Sequence, residues 1–230
     1  MILRSIRLDR AGKYWGTLCA ICLAVAVATT LVWAATEQDV ENLIDSMSIS
    51  NAGKVTVKNG FLQGIQAGRL SADGAFDFLQ RVATSGADLA DRETVLVSIA
   101  STLLADIPVD MLVNKVVEGL ARGLAMDVIA EEVAERRQTL TEVRTLLTQK
   151  GISAAKFSQT GVDAATTDIA TVLENHVRSG QSPSGGTLLD QTLTTLDRDG
   201  RVSDGLFQSL SNSLSEGELA GIANNIASRI

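Results

Sequence analysis

Apolar side chains recur along this chain at spacings of three and four, and strict alternation is almost absent, so helices are predicted nearly throughout. Val40, Leu43, Ile44 and Met47 form the first stripe, with Thr36 placed to cap it. Val57, Phe61 and Ile65 form a second, weakened by Gly60 and Gly64, because glycine disfavours a helix interior. Phe76, Leu79 and Val82 follow and stop near Gly86. Val95, Ile99 and Leu103 lead into Asp106-Ile107-Pro108, a stop and restart. Beyond it Val109, Leu112, Val113, Val116, Val117 and Leu120 present a wide apolar face that ends before Gly123. Residues 92–123 therefore read as two buried helices at the centre of the core, interrupted too early to span a bilayer.

The longest predicted element covers residues 125–150. Met126, Ile129, Val133, Arg136, Leu140, Val143 and Leu147 alternate spacings of three and four, an a/d seam broken once by Arg136. Two readings follow. The helix packs within its own bundle, or Ile129, Val133, Arg136, Leu140 and Val143 meet a partner helix or a second copy, with Arg136 setting register. Glu132, four residues before Arg136, is placed to pair with it.

Ile169, Val172, Leu173 and Val177 mark a helix ending near Gly180, and Gln181 to Gly186 reads as a linker. Leu188, Leu189, Leu193 and Leu196 open a C-terminal group whose last helix starts at a Ser215/Glu218 capping box and carries Leu219, Ile222, Ile226 and Ile230. Residues 187–230 are few for an independent core, so they are expected to dock on residues 36–180. The fold class expected is all-α, an irregular bundle or array of about nine to ten helices.

The N-terminus departs from this pattern. Arg4, Arg7, Arg10 and Lys13 precede an uncharged stretch from Gly16 to Ala35 that contains Val32-Trp33-Ala34. A basic head, an apolar middle and small residues at the −3 and −1 positions spell a secretory signal over residues 1–34, cleaved after Ala34. The alternative is an uncleaved inner-membrane anchor, since about 20 apolar residues can span a bilayer. Either way residues 36–230 are expected outside the cytoplasm, periplasmic or secreted in the first case, with membrane contact only in the second. Cys19 and Cys22 lie inside this segment, so the mature chain forms no disulfide.

Loss of residues 1–34 removes four bases and one acid, taking the net charge from −7 to −10. Such a surface repels phosphate backbones, which argues against nucleic acid as a partner. Tyr14, Trp15 and Trp33 leave with the signal, and five phenylalanines are the aromatics that stay. Aromatic cages and base-stacking platforms have little to build on.

One local pattern returns: Gly53-Lys54-Val55-Thr56, Gly68-Arg69-Leu70-Ser71 and Gly200-Arg201-Val202-Ser203. Glycine in a left-handed turn, an aliphatic residue folding back and a hydroxyl capping the next helix make a tight corner. Asp73-Gly74 and Phe76 follow the second copy, as Asp204-Gly205 and Phe207 follow the third, so duplication and convergent corner chemistry are both open.

The third corner also resembles the calcium loop of the EF-hand. With Gly200 at the sixth position, Asp197 and Asp199 take the third and fifth, Val202 the eighth and Ser203 the ninth. The resemblance breaks at the first and twelfth positions, Thr195 and Leu206, where an acid and a bidentate Glu belong. Asp197, Asp199 and Ser203 are the metal candidates, calcium the one cofactor considered.

Other candidates carry less. His176 is the single histidine, at the edge of an apolar face and without the cysteine or carboxylate company that zinc needs. Glu131, Glu132 and Glu135 adjoin Arg136 and Arg137 and read as a solvated charged face. Phosphate-cradling loop, nucleophile elbow and H-E-x-x-H are all missing. The expected function is that of an exported, non-catalytic helical scaffold or interaction protein acting on a protein partner or on itself. A weak calcium-responsive module is the alternative.

Overall fold

The computed structural model describes residues 34–180 and 187–230. The expected signal or anchor, apart from Ala34, and the expected linker at 181–186 lie outside them. Thr36–Ile230 forms one compact unit. Among the described residues there are ten helices and no strands.

In chain order the helices are α1 (Glu37–Ser46), α2 (Asn51–Gln66), α3 (Ala72–Ala83), α4 (Leu89–Leu104) and α5 (Asp110–Ala121). They continue with α6 (Met126–Gln149), α7 (Gln159–Ser179), α8 (Leu188–Arg198), α9 (Asp204–Ser213) and α10 (Glu216–Ala227). No helix among the described residues is long and apolar enough to cross a membrane.

The starts and stops follow local chemistry. Thr36 and Thr187 form capping boxes with Asp39 and Asp190, and the hydroxyls of Ser50, Ser71, Ser158 and Ser203 accept first-turn backbone N–H groups. Ser215 differs from the capping expected of it, because its hydroxyl donates to the Glu218 carboxylate at 2.7 Å and caps no backbone group. Gly68, Gly123 and Gly151 take positive φ and close the ends of α2, α5 and α6. Gly53 does not: it is the third residue of α2, so the first of the three sequence corners is the start of a helix.

Two kinds of helix contact build the core. In α2, Gly60 and Gly64 serve close approach, contrary to their reading as weak points. A Cβ at Gly60 would lie 2.5 Å from the Ala100 carbonyl oxygen of α4, and one at Gly64 would lie 2.7 Å from Leu103. Gly53 stands against Glu93 in the same way, so contacts advance together along both chains and α2 and α4 run parallel. By contrast α6 buries a seam of large side chains, with Ile129, Val133, Leu140, Val143 and Leu147 at 0–1% exposure.

The most enclosed helix is α7, not the strongly apolar 92–123 region. Its buried residues are Gly161, Val162, Ala164, Ala165, Thr166, Asp168, Ile169, Ala170, Leu173 and Glu174. Helices α6, α8 and α10 pack around it. The C-terminal helices thus dock on the rest of the unit, with Leu188, Leu196, Leu206, Leu210, Leu219 and Ile226 in one continuous core.

Candidate functional site

Of the functional candidates named by the sequence, Asp197 is exposed, whereas the α6 seam, Asp199 and Ser203 are engaged within the chain. The five seam residues of α6 illustrate this. Ile129, Val133, Leu140 and Val143 are enclosed by this chain, and the Arg136 guanidinium turns inward to Glu174 of α7 at 3.3 Å. The seam is therefore filled intramolecularly and offers no apolar face to a partner. Arg136 does not pair with Glu132, which instead meets the half-buried Lys115 of α5. Burial pushes the Lys115 ammonium below its ordinary range.

Helix α7 carries three acids that face two sides of the fold. Asp163 and Glu174 are eleven residues apart, about three turns, and so share the face toward α6. There Arg144 lies 3.4 Å from Asp163, and Arg136 reaches Glu174. The two pairs run in opposite residue order, so α6 and α7 are antiparallel with an ionic bolt toward each end. Asp168 lies about 140° around the helix. It pairs with Arg201 of the α8–α9 corner.

Burial raises all three carboxyls above their ordinary values, against the pull of the arginines beside them. One oxygen of Asp168 and one of Glu174 are enclosed without a hydrogen-bond donor. The Glu174 side chain is 6% exposed and lines a narrow cleft with Arg136, Thr139, Arg178, Arg229 and Ile226. The cleft encloses about 10 Å³, roughly the room one water needs. Arg229, at the end of α10, donates to Glu142 at 2.8 Å and to the Thr139 hydroxyl at 3.3 Å, tying the C-terminus to α6.

A second ionic cluster surrounds Asp106. This residue closes α4 in the left-handed region at φ 63°, the one non-glycine among the described residues to do so. Its carboxylate meets Arg69 and Arg144, while Arg69 also donates to the Asp106 and Ile107 carbonyls and lies 3.8 Å from Asp163. An aspartate tolerates this conformation better than most residues, and here the ion pairs explain why glycine does not occupy it. Beside the cluster is an open groove of about 310 Å³ lined by Ala105, Ile107, Thr141, Arg144, Thr145 and Thr148. Its three threonine hydroxyls donate back to their own helix carbonyls. Two arginines answer two aspartates in the cluster, so no net charge is left over to hold an ion.

The expected calcium ligands form a helix corner. Ser203 caps α9 through the Leu206 N–H at 3.4 Å, and Asp199 lies within 3.4 Å of Arg198 and 3.3 Å of Arg201. Asp197 is exposed on the last turn of α8. Among the described residues no three His, Cys, Asp or Glu side chains gather as metal ligands would. His176 is half-buried near the end of α7, its Nδ1 enclosed without a partner.

Sequence reasoning missed the acids on α7 and two carboxylates that cap helices from a distance. Glu93 accepts from the Ser50 backbone N–H and hydroxyl at the start of α2. Glu216 accepts from the Leu188 and Leu189 N–H groups at the start of α8. Such anions complement the exposed donors and dipole of a helix N-terminus. The one signal available was that acids occurred within otherwise apolar periodicity.

No family model, curated protein or solved structure matches the chain.

Proposed function

We propose that this protein is exported and acts as a non-catalytic helical scaffold or interaction protein, periplasmic or secreted once the N-terminal segment is removed. The reading rests on the basic head, apolar middle and Val32-Trp33-Ala34 ending of that segment. It is supported by the use of the interior charges: Asp163, Asp168, Glu174, Arg69, Arg136 and Arg144 join helices to one another. With the α6 seam filled, the apolar side chains left for association are elsewhere. Leu124 and Val128 are four residues apart at the α5–α6 corner, 38% and 42% exposed, and Ala121 and Ala125 beside them are also exposed. This corner is the surface to which the proposal assigns association.

Two measurements test the reading. The full chain carrying a C-terminal tag is expected in the periplasmic or culture fraction, shortened after Ala34; retention in the cytoplasm overturns export. Residues 35–230 are expected to associate with rising concentration in sedimentation velocity, and the pair Leu124→Lys and Val128→Lys to abolish it. A monomer at every concentration, unaffected by the pair, removes self-association through this corner.

A further inference from the structure

A hollow of about 150 Å³ lies where the α1–α2 connection meets the end of α3 and the first half of α4. Met47, Ser48 and Ile49 line it from the connection, Ala83 from α3, and Arg92 and Leu96 from α4. Its apolar wall belongs to the core: Met47 and Leu96 are buried, and Ile49 and Ala83 are partly buried against them and their neighbours. An apolar cavity of about this size accommodates one benzene molecule, whereas drug-sized ligands need about 300 Å³ or more. The room suits a small molecule with an apolar body of about six carbons.

Arg92 is the one charged residue in this lining. Its Nη1 donates to the Ala83 carbonyl at 2.7 Å, and its Nε is enclosed without a hydrogen-bond partner. Five arginines among the described residues have an enclosed guanidinium nitrogen left in this way. Arg69, Arg136, Arg144 and Arg229 each meet a carboxylate of the chain, which Arg92 does not. Glu93, its neighbour in sequence, is engaged by Ser50, and Asp45, next to Ser46 at the hollow, by Lys58. A guanidinium is a planar fork that takes a carboxylate through two parallel N–H bonds, and Nε is one of its prongs.

We propose that this hollow binds a small monocarboxylate with a short apolar body. The carboxylate sits on the Arg92 guanidinium, and the body lies against Met47, Ile49 and Leu96. Two observations carry the assignment: a cation that meets no acid of its own chain, and an apolar recess beside it of a size for one small molecule. The site is independent of export and of association at the α5–α6 corner.

Amide and arginine Nε–H resonances of the residue 35–230 chain, followed during titration with sodium hexanoate, test the proposal. Saturable shifts are expected at residues 46–49, 83, 92 and 96. Acetate, which lacks the body, and hexan-1-ol, which lacks the charge, should each bind at least about tenfold more weakly. Arg92→Gln is expected to reduce hexanoate to the level of hexan-1-ol, and Ala83→Leu, which fills the recess, to abolish both. Should either variant fail to fold, the three ligands on the parent chain decide alone. Absence of saturable shifts at these residues at tens of millimolar hexanoate overturns the site. Equal affinity for hexanoate and hexan-1-ol, or hexanoate binding unchanged in either folded variant, overturns it as well.

Discussion

Helices α6 and α7 lie antiparallel in the same core, yet they are buried by opposite means. The longer one presents isoleucine, valine and leucine in a regular seam, and its burial is driven by the apolar area removed from water. Its neighbour presents alanine, glycine, threonine and two enclosed acids, with Ile169 and Leu173 as its largest aliphatic contributions. Helix α7 offers mostly small side chains to its neighbours, and its acids are met by arginines from other elements. The same contrast separates α2, whose glycines admit α4, from α4 itself, which brings Leu96, Ile99 and Leu103. A greasy face and a small-residue face thus meet repeatedly in this protein.

If the contrast is correct, substitutions on the two kinds of face should fail by different routes. The largest loss is expected from Leu140→Ala on the seam: about 3–4 kcal/mol in urea denaturation, from lost burial and the cavity left behind. Arg136→Met should approach it, at about 3 kcal/mol near neutral pH, because it leaves Glu174 charged, enclosed and without its partner. A loss near zero would show that the pair contributes little and that α6 is held by its seam alone. Gly60→Ala is expected to destabilise by about 2 kcal/mol despite alanine's better helix propensity, since the new methyl meets the Ala100 backbone. A stabilised Gly60→Ala protein would show that α2 and α4 can separate freely.

A smaller effect, read as a pH dependence, distinguishes the charged face from the apolar one. Burial raises the folded-state Glu174 carboxyl above its unfolded value, so the native chain holds the proton more tightly. This contribution favours folding at pH below the ordinary glutamate range and is lost as pH rises through the raised value. Glu174→Gln removes it, so the stability of the variant relative to the parent should climb as pH rises across that window. Parallel stability curves would mean that Arg136 offsets burial completely. Least of all should change on adding millimolar calcium. Asp199 and Ser203 are already engaged, so the melting temperature is expected to hold steady, and a clear rise would restore the α8–α9 corner as a cation site.

Legibility in the sequence followed side-chain size. The α6 helix was readable from residue 125 to 150 and is formed from Met126 to Gln149, because large apolar residues at three-four spacing have one economical burial. Gly123, Gly151 and Gly180 marked ends because a left-handed residue there leaves few alternatives to glycine. Helix α7 was read from Ile169, Val172, Leu173 and Val177, and its central place was invisible. Alanine and threonine carry little periodic signal, and an aspartate looks like surface until a distant arginine is shown to meet it. Glu93, Glu216 and Arg69 escaped for the same reason: their partners are far along the chain.

What the sequence determined by itself was local: helical periodicity, caps and stops, and the basic-apolar pattern at the N-terminus from which export is proposed. These depend on residues within a few positions of one another, where backbone geometry leaves few choices. Tertiary structure decided the rest. It turned the α6 seam inward, made α7 the central helix and assigned each buried acid its arginine. Those outcomes depend on which surfaces come within a few ångströms, and small residues permit such approaches without advertising them.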